Sequence, residues 1–307
     1  MSCNNCSVNY NLESNRVKVS DYYSEVQPAW CSGCGDYAIW AAIKRALVEL
    51  DIAPDEVLLC FDIGCNGNMS DKIKGYRIHS LHGRVLPLAA GAKIANPNIK
   101  VIAFAGDGAT YSEGINHFIN SIRSNYPITF FVHNNGTYGL TTGQASATTP
   151  QNAPRTANPD GPMYSTLNPI ELALALNPSF VARGFSGDLT HLVKIFKEAI
   201  KYQDKGFAYV DILQACPTFN KEMTHEWYMD RVFNLDDDKS YSTNDLENAR
   251  RKALDVNEKI ATGIIYKNEE VPMYLNRLNY RFENYSNSSP VQEVVKQDIT
   301  ELIKPMF

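Results

Sequence analysis

Short apolar runs alternate along this chain with stretches whose apolar residues have helical spacing. Runs made almost entirely of apolar residues are typical of strands buried on both faces of a parallel sheet, and they cover residues 57–61, 101–105, 128–132 and 207–213. Helical spacing predicts helices over residues 37–50, 86–95, 115–122 and 188–202. This order predicts an α/β fold, doubly wound around a mainly parallel sheet.

The two ends of the chain differ in composition from its middle. Residues 1–20 are polar and rich in asparagine, and residues beyond 225 shift to charged and amide side chains. The clearest helical pattern in that last part covers residues 246–264. We therefore predict a polar N-terminal arm (1–20), a main domain (21–225) and a mainly helical C-terminal subdomain or appendage (226–307).

Charge and composition exclude several classes of protein. The net charge of -5 argues against a nucleic-acid surface, and no apolar stretch approaches the length of a membrane span. The N-terminus lacks the basic region and apolar core of a signal peptide. The seven cysteines, an odd number, favour metal or catalytic chemistry over a disulfide framework. We expect a cytoplasmic protein that binds neither nucleic acid nor membrane.

Two polar loops follow neighbouring predicted strands. Gly106-Asp107-Gly108 follows the run at 101–105, and Asn135 follows the run at 128–132. Since parallel strands present their carboxyl ends at one edge of a sheet, the two loops should be neighbours. The Asp107 carboxylate and the Asn135 side-chain oxygen, with a backbone carbonyl near Thr137, are suitable oxygen ligands for Mg²⁺. The alternative is a pair of ordinary turns, in which glycine and aspartate are common.

The spacing of these two loops resembles the thiamine diphosphate motif. In that motif Gly-Asp-Gly is followed, after 25 to 30 residues, by an asparagine, as Asn135 follows Gly106-Asp107-Gly108 here. The motif occurs in decarboxylases, transketolases and 2-oxoacid oxidoreductases. It therefore indicates a cofactor without choosing a reaction.

Cys65 and Cys216 lie in loops predicted to border the same sheet edge, and four cysteines could converge there if the Cys-x-x-Cys pair Cys31 and Cys34 joins them. They could hold a [4Fe-4S] cluster, whose ligands need not be contiguous in sequence: Cys31, Cys34, Cys65 and Cys216. A zinc site on Cys3, Cys6, Cys31 and Cys34 is the alternative, although the gap between the two pairs is longer than is usual for zinc ribbons. A thioredoxin-like pair at Cys31 and Cys34 is disfavoured by the absence of an opening strand. Cys60, inside a predicted strand, is expected to be a buried apolar residue.

Five segments in this order resemble the beta subunit of 2-oxoacid:ferredoxin oxidoreductase. They are residues 30–36 (WCSGCGD), 62–65 (DIGC), 79–84 (HSLHGR), 106–135 and 214–217 (QACP). The likeness covers roughly residues 22–230 and implies the diphosphate-binding domain of the thiamine diphosphate fold. Two departures are Ser32, where many relatives have proline, and the residues 66–68 after Cys65, where relatives vary.

The resemblance also implies roles for individual residues. The cluster ligands would be Cys31, Cys34, Cys65 and Cys216, and the Mg²⁺ ligands Asp107, Asn135 and Thr137. The cofactor would be lined by Ile63, Gly64, Cys65, Asn66, His82, Gly106, Gly108, Ala109, Gly139 and Leu140. His82 would lie near the diphosphate, and the alternative is a histidine satisfied in a turn. His117 and His133 are expected to be structural.

The reaction implied is the coenzyme A-dependent oxidative decarboxylation of a 2-oxoacid, with electrons passing to ferredoxin. Residues 218–221 and 224–228 look more like 2-oxoglutarate or broad-range members than pyruvate-specific ones. A separate alpha subunit, in a heterodimer or a dimer of heterodimers, would supply the glutamate that activates the cofactor, so no catalytic residue is assigned to this chain. The alternatives are a pyruvate-specific subunit, a cluster-free thiamine-dependent decarboxylase and a zinc-binding interaction subunit.

Overall fold

The computed structural model of the protein describes residues 16–254 and 258–281. Its centre is an eight-stranded sheet in the order β2-β1-β3-β4-β6-β5-β8-β7, parallel except where β8 pairs with β5. The strands are β1 Val57–Phe61, β2 Tyr76–His79, β3 Lys100–Gly106, β4 Thr129–Asn134, β5 Phe180–Phe185, β6 Ala208–Leu213, β7 Val232–Asn234 and β8 Ile260–Lys267.

Helices cover both faces of the sheet. They are α1 Asp36–Glu49, α2 Val85–Ala95, α3 Ile115–Ser124, α4 Pro169–Leu174, α5 Leu189–Tyr202, α6 His225–Met229, α7 Leu246–Leu254 and α8 Tyr274–Arg281. One hydrophobic cluster lies between the sheet and α1 and α5, and a second lies between the opposite face and α2, α3, α4 and α7. The predicted doubly wound, mainly parallel α/β fold is therefore confirmed.

The central strands have continuous apolar sequences because both of their faces are covered. In β3, for example, Val101 packs into one cluster and Ile102 into the other, and neither is exposed. The predicted strands at 57–61, 101–105, 128–132 and 207–213 and the four predicted helices before residue 203 all occur, with ends that differ by at most two residues. Helix α1 buries Ile39 and Ile43 on the face that the spacing predicts.

The predicted helix over residues 246–264 occurs over Leu246–Leu254 but is wrong from Ile260 onwards. Residues Ile260–Lys267 form strand β8, which lies antiparallel to β5, with Ala182 opposite Ile264. The segment is short and rich in β-branched residues, so its apolar pattern also suits a buried strand, and pairing with β5 decides between the two.

The C-terminal part is joined to the main sheet through this strand. β7 extends the sheet by pairing in parallel with β8. The division of the chain at residue 225 into a domain and a subdomain stays a prediction. Of the predicted N-terminal arm, residues 1–15 lie outside the described residues, and so do Cys3 and Cys6 of the zinc alternative. Val17 is buried in the core below α1.

No helix in residues 16–254 and 258–281 has the length and apolarity needed to cross a bilayer. The longest helices, α1 and α5, have 14 residues each.

Candidate functional site

A cavity lies at the carboxyl ends of β1, β3, β4 and β6. All ten residues predicted to contact the cofactor line it, and so do the three predicted Mg²⁺ ligands. The topology explains this, because the loops after adjacent parallel strands open at one edge of the sheet. The structure brings these residues together, and their individual roles stay predictions.

Asp107 lies at the base of the cavity and is 1% exposed. Its Oδ2 accepts hydrogen bonds from Ser146 Oγ at 2.5 Å and from Thr148 Oγ1 at 2.6 Å. Burial raises the pKa of this carboxyl to about 6, against the opposing effect of the two hydroxyl donors. A divalent cation would favour the charged carboxylate, so the donor chemistry here fits Mg²⁺.

The loop after β4 turns sharply beside Asp107. Asn135 Oδ1 accepts a hydrogen bond from the backbone N–H of Thr137 at 3.1 Å, and Gly136 has a φ of +65°. Gly136 holds this conformation without the strain that a side chain would bring. An amide oxygen has a second lone pair, so Asn135 Oδ1 can bond to Thr137 and still face a cation.

Four buried polar atoms around the cavity have no hydrogen-bond partner among the described residues. They are Asn66 Oδ1, His82 Nδ1, His133 Nε2 and Gln214 Oε1. Buried polar atoms are usually bonded, so those of Asn66, His133 and Gln214 are available to a bound group, whereas His82 Nδ1 lies 3.5 Å from Glu113 Oε2. Backbone also approaches closely here, because a Cβ on Gly108 would lie 2.3 Å from the ring of Tyr138. The unbonded polar atoms and the close approach of backbone fit a cofactor that carries a diphosphate and a nitrogen heterocycle.

Asp62 positions the segment that carries His82. Its carboxylate accepts hydrogen bonds from the backbone N–H groups of Ile63 at 2.8 Å, Gly83 at 2.9 Å and Val85 at 3.2 Å. Burial raises its pKa, and the three donors oppose that shift. The carboxyl end of β1 thereby holds His82 at the cavity wall, and its contact with a diphosphate stays a prediction.

The four predicted cluster cysteines lie in loops that contact one another. Trp30 Nε1 donates to the Cys65 carbonyl at 2.8 Å, and the Gly35 N–H donates to the Ala215 carbonyl at 3.4 Å. Cys34 Sγ accepts from Gln214 Nε2 at 3.4 Å. These contacts join the loops that carry Cys31 and Cys34 to those that carry Cys65 and Cys216.

Gly139 marks the border between the cysteines and the cofactor cavity. A Cβ atom on this glycine would lie 3.4 Å from Cys65 Sγ and 3.9 Å from Cys216 Sγ. Both Gly139 and Cys65 also line the cavity. A cluster held by these cysteines would therefore lie directly beside a bound cofactor.

Burial favours the protonated form of the inner thiols. It raises the pKa of Cys65 to about 12, and it raises the pKa of Cys34 and of Cys216 as well. At Cys216, backbone N–H groups of residues 218–220 oppose the shift by favouring the thiolate. Coordination by iron would deprotonate such thiols, so the four cysteines fit an iron–sulfur cluster. Cys31, which is exposed, would lie on the outer side of that cluster.

The described residues contain no group of three His, Cys, Asp or Glu side chains placed to hold a metal ion. A single zinc ion requires all its sulfur ligands about 2.3 Å from one point. A four-iron cluster holds its cysteines farther apart, so the loop arrangement remains suitable for it.

Asp36 and His133 also line the cavity, although sequence reasoning gave neither a role there. His133 was expected to be structural. Its Nδ1 bonds to Asp36, while its Nε2 has no partner among residues 16–254 and 258–281. Tyr138, Thr141 and Gln214 complete the lining. The only sequence signal for a role of His133 in the cavity is its position two residues before Asn135.

Two family profiles match the chain in succession. Residues 62–212 match the thiamine pyrophosphate enzyme, C-terminal TPP binding domain. Residues 216–281 match the C-terminal part of the pyruvate ferredoxin oxidoreductase beta subunit. The first match covers the cavity from Asp62 to the end of β6, and the second begins at Cys216.

Relatives match between two thirds and nearly all of the chain. It is 38% identical over 292 residues to 2-oxoacid:ferredoxin oxidoreductase subunit beta of Saccharolobus solfataricus, covering 90% of this chain and 95% of that one. It is 36% identical over 203 residues to the 2-oxoglutarate oxidoreductase subunit KorB of Mycobacterium tuberculosis, covering 66% and 54%. The solved 2-oxoglutarate:ferredoxin oxidoreductase from Magnetococcus marinus, with 2-oxoglutarate, coenzyme A and succinyl-CoA bound, has a TM-score of 0.83 at 31% identity over 94% and 98%. The chain therefore belongs to the beta subunits of the 2-oxoacid:ferredoxin oxidoreductases, a family of enzymes.

Proposed function

We propose that this chain, with an alpha subunit, converts 2-oxoglutarate, coenzyme A and oxidised ferredoxin to succinyl-CoA, CO₂ and reduced ferredoxin. The observation that carries the proposal is the position of Gly139. This residue lines the same cavity as Asp107 and lies beside the sulfur atoms of Cys65 and Cys216. A thiamine enzyme without a cluster has no need for cysteines there. The protein would act in the reducing environment of the cytoplasm, where free thiols such as Cys31 persist.

Within the cavity, Asp107, Asn135 and Thr137 would hold Mg²⁺, and the metal would in turn hold the diphosphate. His82, Asn66 and Gly64 would contact the cofactor on the β1 side. Thiamine diphosphate, when bound, supplies the carbanion and the electron sink for decarboxylation. The residues of this chain orient the cofactor and exclude water from its buried end.

The four cysteines would hold one [4Fe-4S] cluster. Cys65 and Cys216 would lie on its cofactor side, whereas the exposed Cys31 would lie on the side that ferredoxin can approach. The order of these groups defines a direct path for electrons from the cavity to the surface.

The choice of 2-oxoglutarate is supported by the relatives. The KorB subunit of Mycobacterium tuberculosis and the Magnetococcus marinus enzyme are both named for this substrate. Pyruvate is the competing substrate, because the profile that matches residues 216–281 is named for it.

An alpha subunit is part of the proposal because the cavity accounts for only half of a thiamine site. Among residues 16–254 and 258–281, its lining includes Asp36 and Asp107 but no glutamate that could activate the aminopyrimidine ring. The two rings of the cofactor must be held between facing domains to reach reactive geometry. The isolated chain should therefore be catalytically incomplete.

The test is ferredoxin reduction by the anaerobically purified chain, alone and combined with its alpha subunit. We expect reduction only by the combination, only with coenzyme A, and with kcat/KM at least about tenfold higher for 2-oxoglutarate than for pyruvate. The reverse preference would replace the substrate assignment. Turnover by the lone chain would contradict the incomplete site.

A further inference from the structure

A second cavity, of about 230 Å³, lies beside the carboxyl ends of β5 and β6. Leu213, Trp227, Tyr228 and Ile260 provide apolar parts of its wall. Arg183 provides its buried cation. The proposed function uses none of these five residues.

Arg183 forms an ion pair with Asp211 but has fewer hydrogen bonds than a buried arginine normally makes. It is 2% exposed, yet its Nε and Nη1 make no hydrogen bond within the described parts of the chain. The other deeply buried arginine, Arg155, donates from Nε, Nη1 and Nη2 to the backbone carbonyls of Pro154 and Gly136. Buried charged groups are expected to be paired and bonded, so the free donors of Arg183 indicate a missing acceptor.

Asp211 lies next to Arg183 but does not supply that acceptor. The distance from Arg183 Nε to Asp211 Oδ2 is 3.6 Å, which is too long for a good hydrogen bond. Asp211 instead accepts from Tyr111 Oη at 2.9 Å and from Asn134 Nδ2 at 3.1 Å. Its carboxylate is thus held by β4 and by the turn that follows β3.

We propose that this cavity is a second binding site, in which Arg183 holds the carboxylate of a small organic acid. A carboxylate is a strong, charge-assisted acceptor for a guanidinium N–H, and one of its oxygens can accept from the free Nη1. The apolar wall formed by Leu213, Trp227 and Ile260 suits an aliphatic body.

The charges that line the cavity favour a ligand with a single negative charge. Only one cation, Arg183, lines it, and Asp211 already lies beside that cation. A phosphate dianion would place two further negative charges next to a buried carboxylate, which is costly in a medium of low dielectric constant. A monocarboxylate adds only one charge and can accept a hydrogen bond from the free Nη1.

Isobutyrate is a suitable probe because it has a carboxylate, a compact aliphatic body and no keto group. Calorimetric titration of the full chain, saturated with thiamine diphosphate and Mg²⁺, should show one site per chain. Isobutyramide, which has the same shape without the charge, and inorganic phosphate should each bind at least about tenfold more weakly. Equal affinity for the acid and the amide would overturn the proposal, as would the absence of isobutyrate binding.

Variants locate the site. Arg183→Met should weaken isobutyrate binding at least about tenfold, whereas Asp211→Asn should strengthen it about threefold by leaving the cation unopposed. Lys194→Met removes a cation that is 60% exposed, and it should leave binding unchanged. If Arg183→Met does not fold, the double variant R183M/D211N removes both charges with little change of shape. Unchanged binding by either Arg183 variant would refute the site, and so would isobutyrate bound away from Arg183 in a crystal.

Discussion

His133 Nδ1 lies 2.6 Å from Asp36 Oδ1, and the two side chains are 2% and 0% exposed. Asp36 also accepts, through Oδ2, a hydrogen bond from the Cys34 thiol at 3.3 Å. One carboxylate at the start of α1 therefore joins a predicted cluster ligand to the last part of β4. Because His133 also lines the cofactor cavity, Asp36 connects the two halves of the candidate site.

The first prediction concerns this buried pair. Asp36→Asn should lower the free energy of unfolding by about 1–3 kcal/mol, because His133 loses its charged acceptor inside the core. Glu49→Gln on the same helix breaks only a surface ion pair with Lys197. This substitution should change the free energy of unfolding by less than about 0.5 kcal/mol. Urea unfolding of the cofactor-free chain measures both. Equal effects of the two substitutions would show that the buried pair is unimportant.

A second prediction follows from the bonds that Asp62 makes. Asp62→Ala frees the segment that carries His82, so the dissociation constant for thiamine diphosphate should rise by about tenfold or more. Asp55→Ala removes an exposed carboxylate just before β1 and should leave cofactor affinity unchanged. Fluorescence titration with thiamine diphosphate and Mg²⁺ measures both. Unaltered affinity of the Asp62 variant would contradict the positioning role.

The third prediction concerns the pH dependence of stability. Burial raises the pKa of Asp107 to about 6 in the folded chain, above its ordinary value of 3.8. Between these values the folded state binds more protons than the unfolded state, so the stability contributed by Asp107 is present below pH 3.8 and lost as pH rises towards 6. The loss is about 3 kcal/mol, since each pKa unit corresponds to about 1.4 kcal/mol.

Asp107→Asn cannot titrate and provides the comparison. The unfolding free energy of this variant, relative to wild type, should increase by about 2 kcal/mol between pH 4 and pH 7 in the absence of metal and cofactor. Paired urea titrations at several pH values measure this difference. A difference that does not vary with pH would exclude the raised pKa. The same variant should no longer retain thiamine diphosphate with Mg²⁺.

A fourth prediction uses the space around Gly139. Valine there would push its methyl groups towards Cys65 Sγ and Cys216 Sγ, because even a Cβ would lie 3.4 Å and 3.9 Å from them. Gly139→Val should therefore reduce bound iron to less than about half of the wild-type content. Gly91→Val is the control, since a Cβ on Gly91 meets nothing within 4 Å. Full iron content in both variants would place the cluster elsewhere.

The sequence predicts the part of the fold that both faces of the sheet bury. Strands such as β1 and β3 are continuous apolar runs, and their loops carry Cys65 and Asp107 to one edge. Strand β2 is not predicted because it has only four residues, all exposed at the edge of the sheet, and its alternation of Tyr76 and Ile78 with polar residues is too short to indicate a strand. Strand β5 contains a buried arginine and a glycine, which interrupt its apolar run.

The remaining site residues could not be predicted because tertiary packing brings them together. Asp36 and His133 are 97 residues apart in sequence, and neither belongs to a motif that requires the other. Arg183 likewise meets Asp211 only through the pairing of β5 with β6. Motif spacing identifies residues that bind a shared ligand, whereas residues that support one another across the sheet have no common spacing.

The central claim is that this chain holds an iron–sulfur cluster beside thiamine diphosphate. The most direct measurement is the iron, acid-labile sulfide, zinc and thiamine content of the anaerobically purified protein, compared between wild type, Cys3→Ser and Cys216→Ser. We expect about four irons, four sulfides and one thiamine diphosphate per chain in wild type and Cys3→Ser, and loss of iron and sulfide in Cys216→Ser. Zinc without sulfide, or loss of metal in Cys3→Ser but not in Cys216→Ser, would contradict the claim.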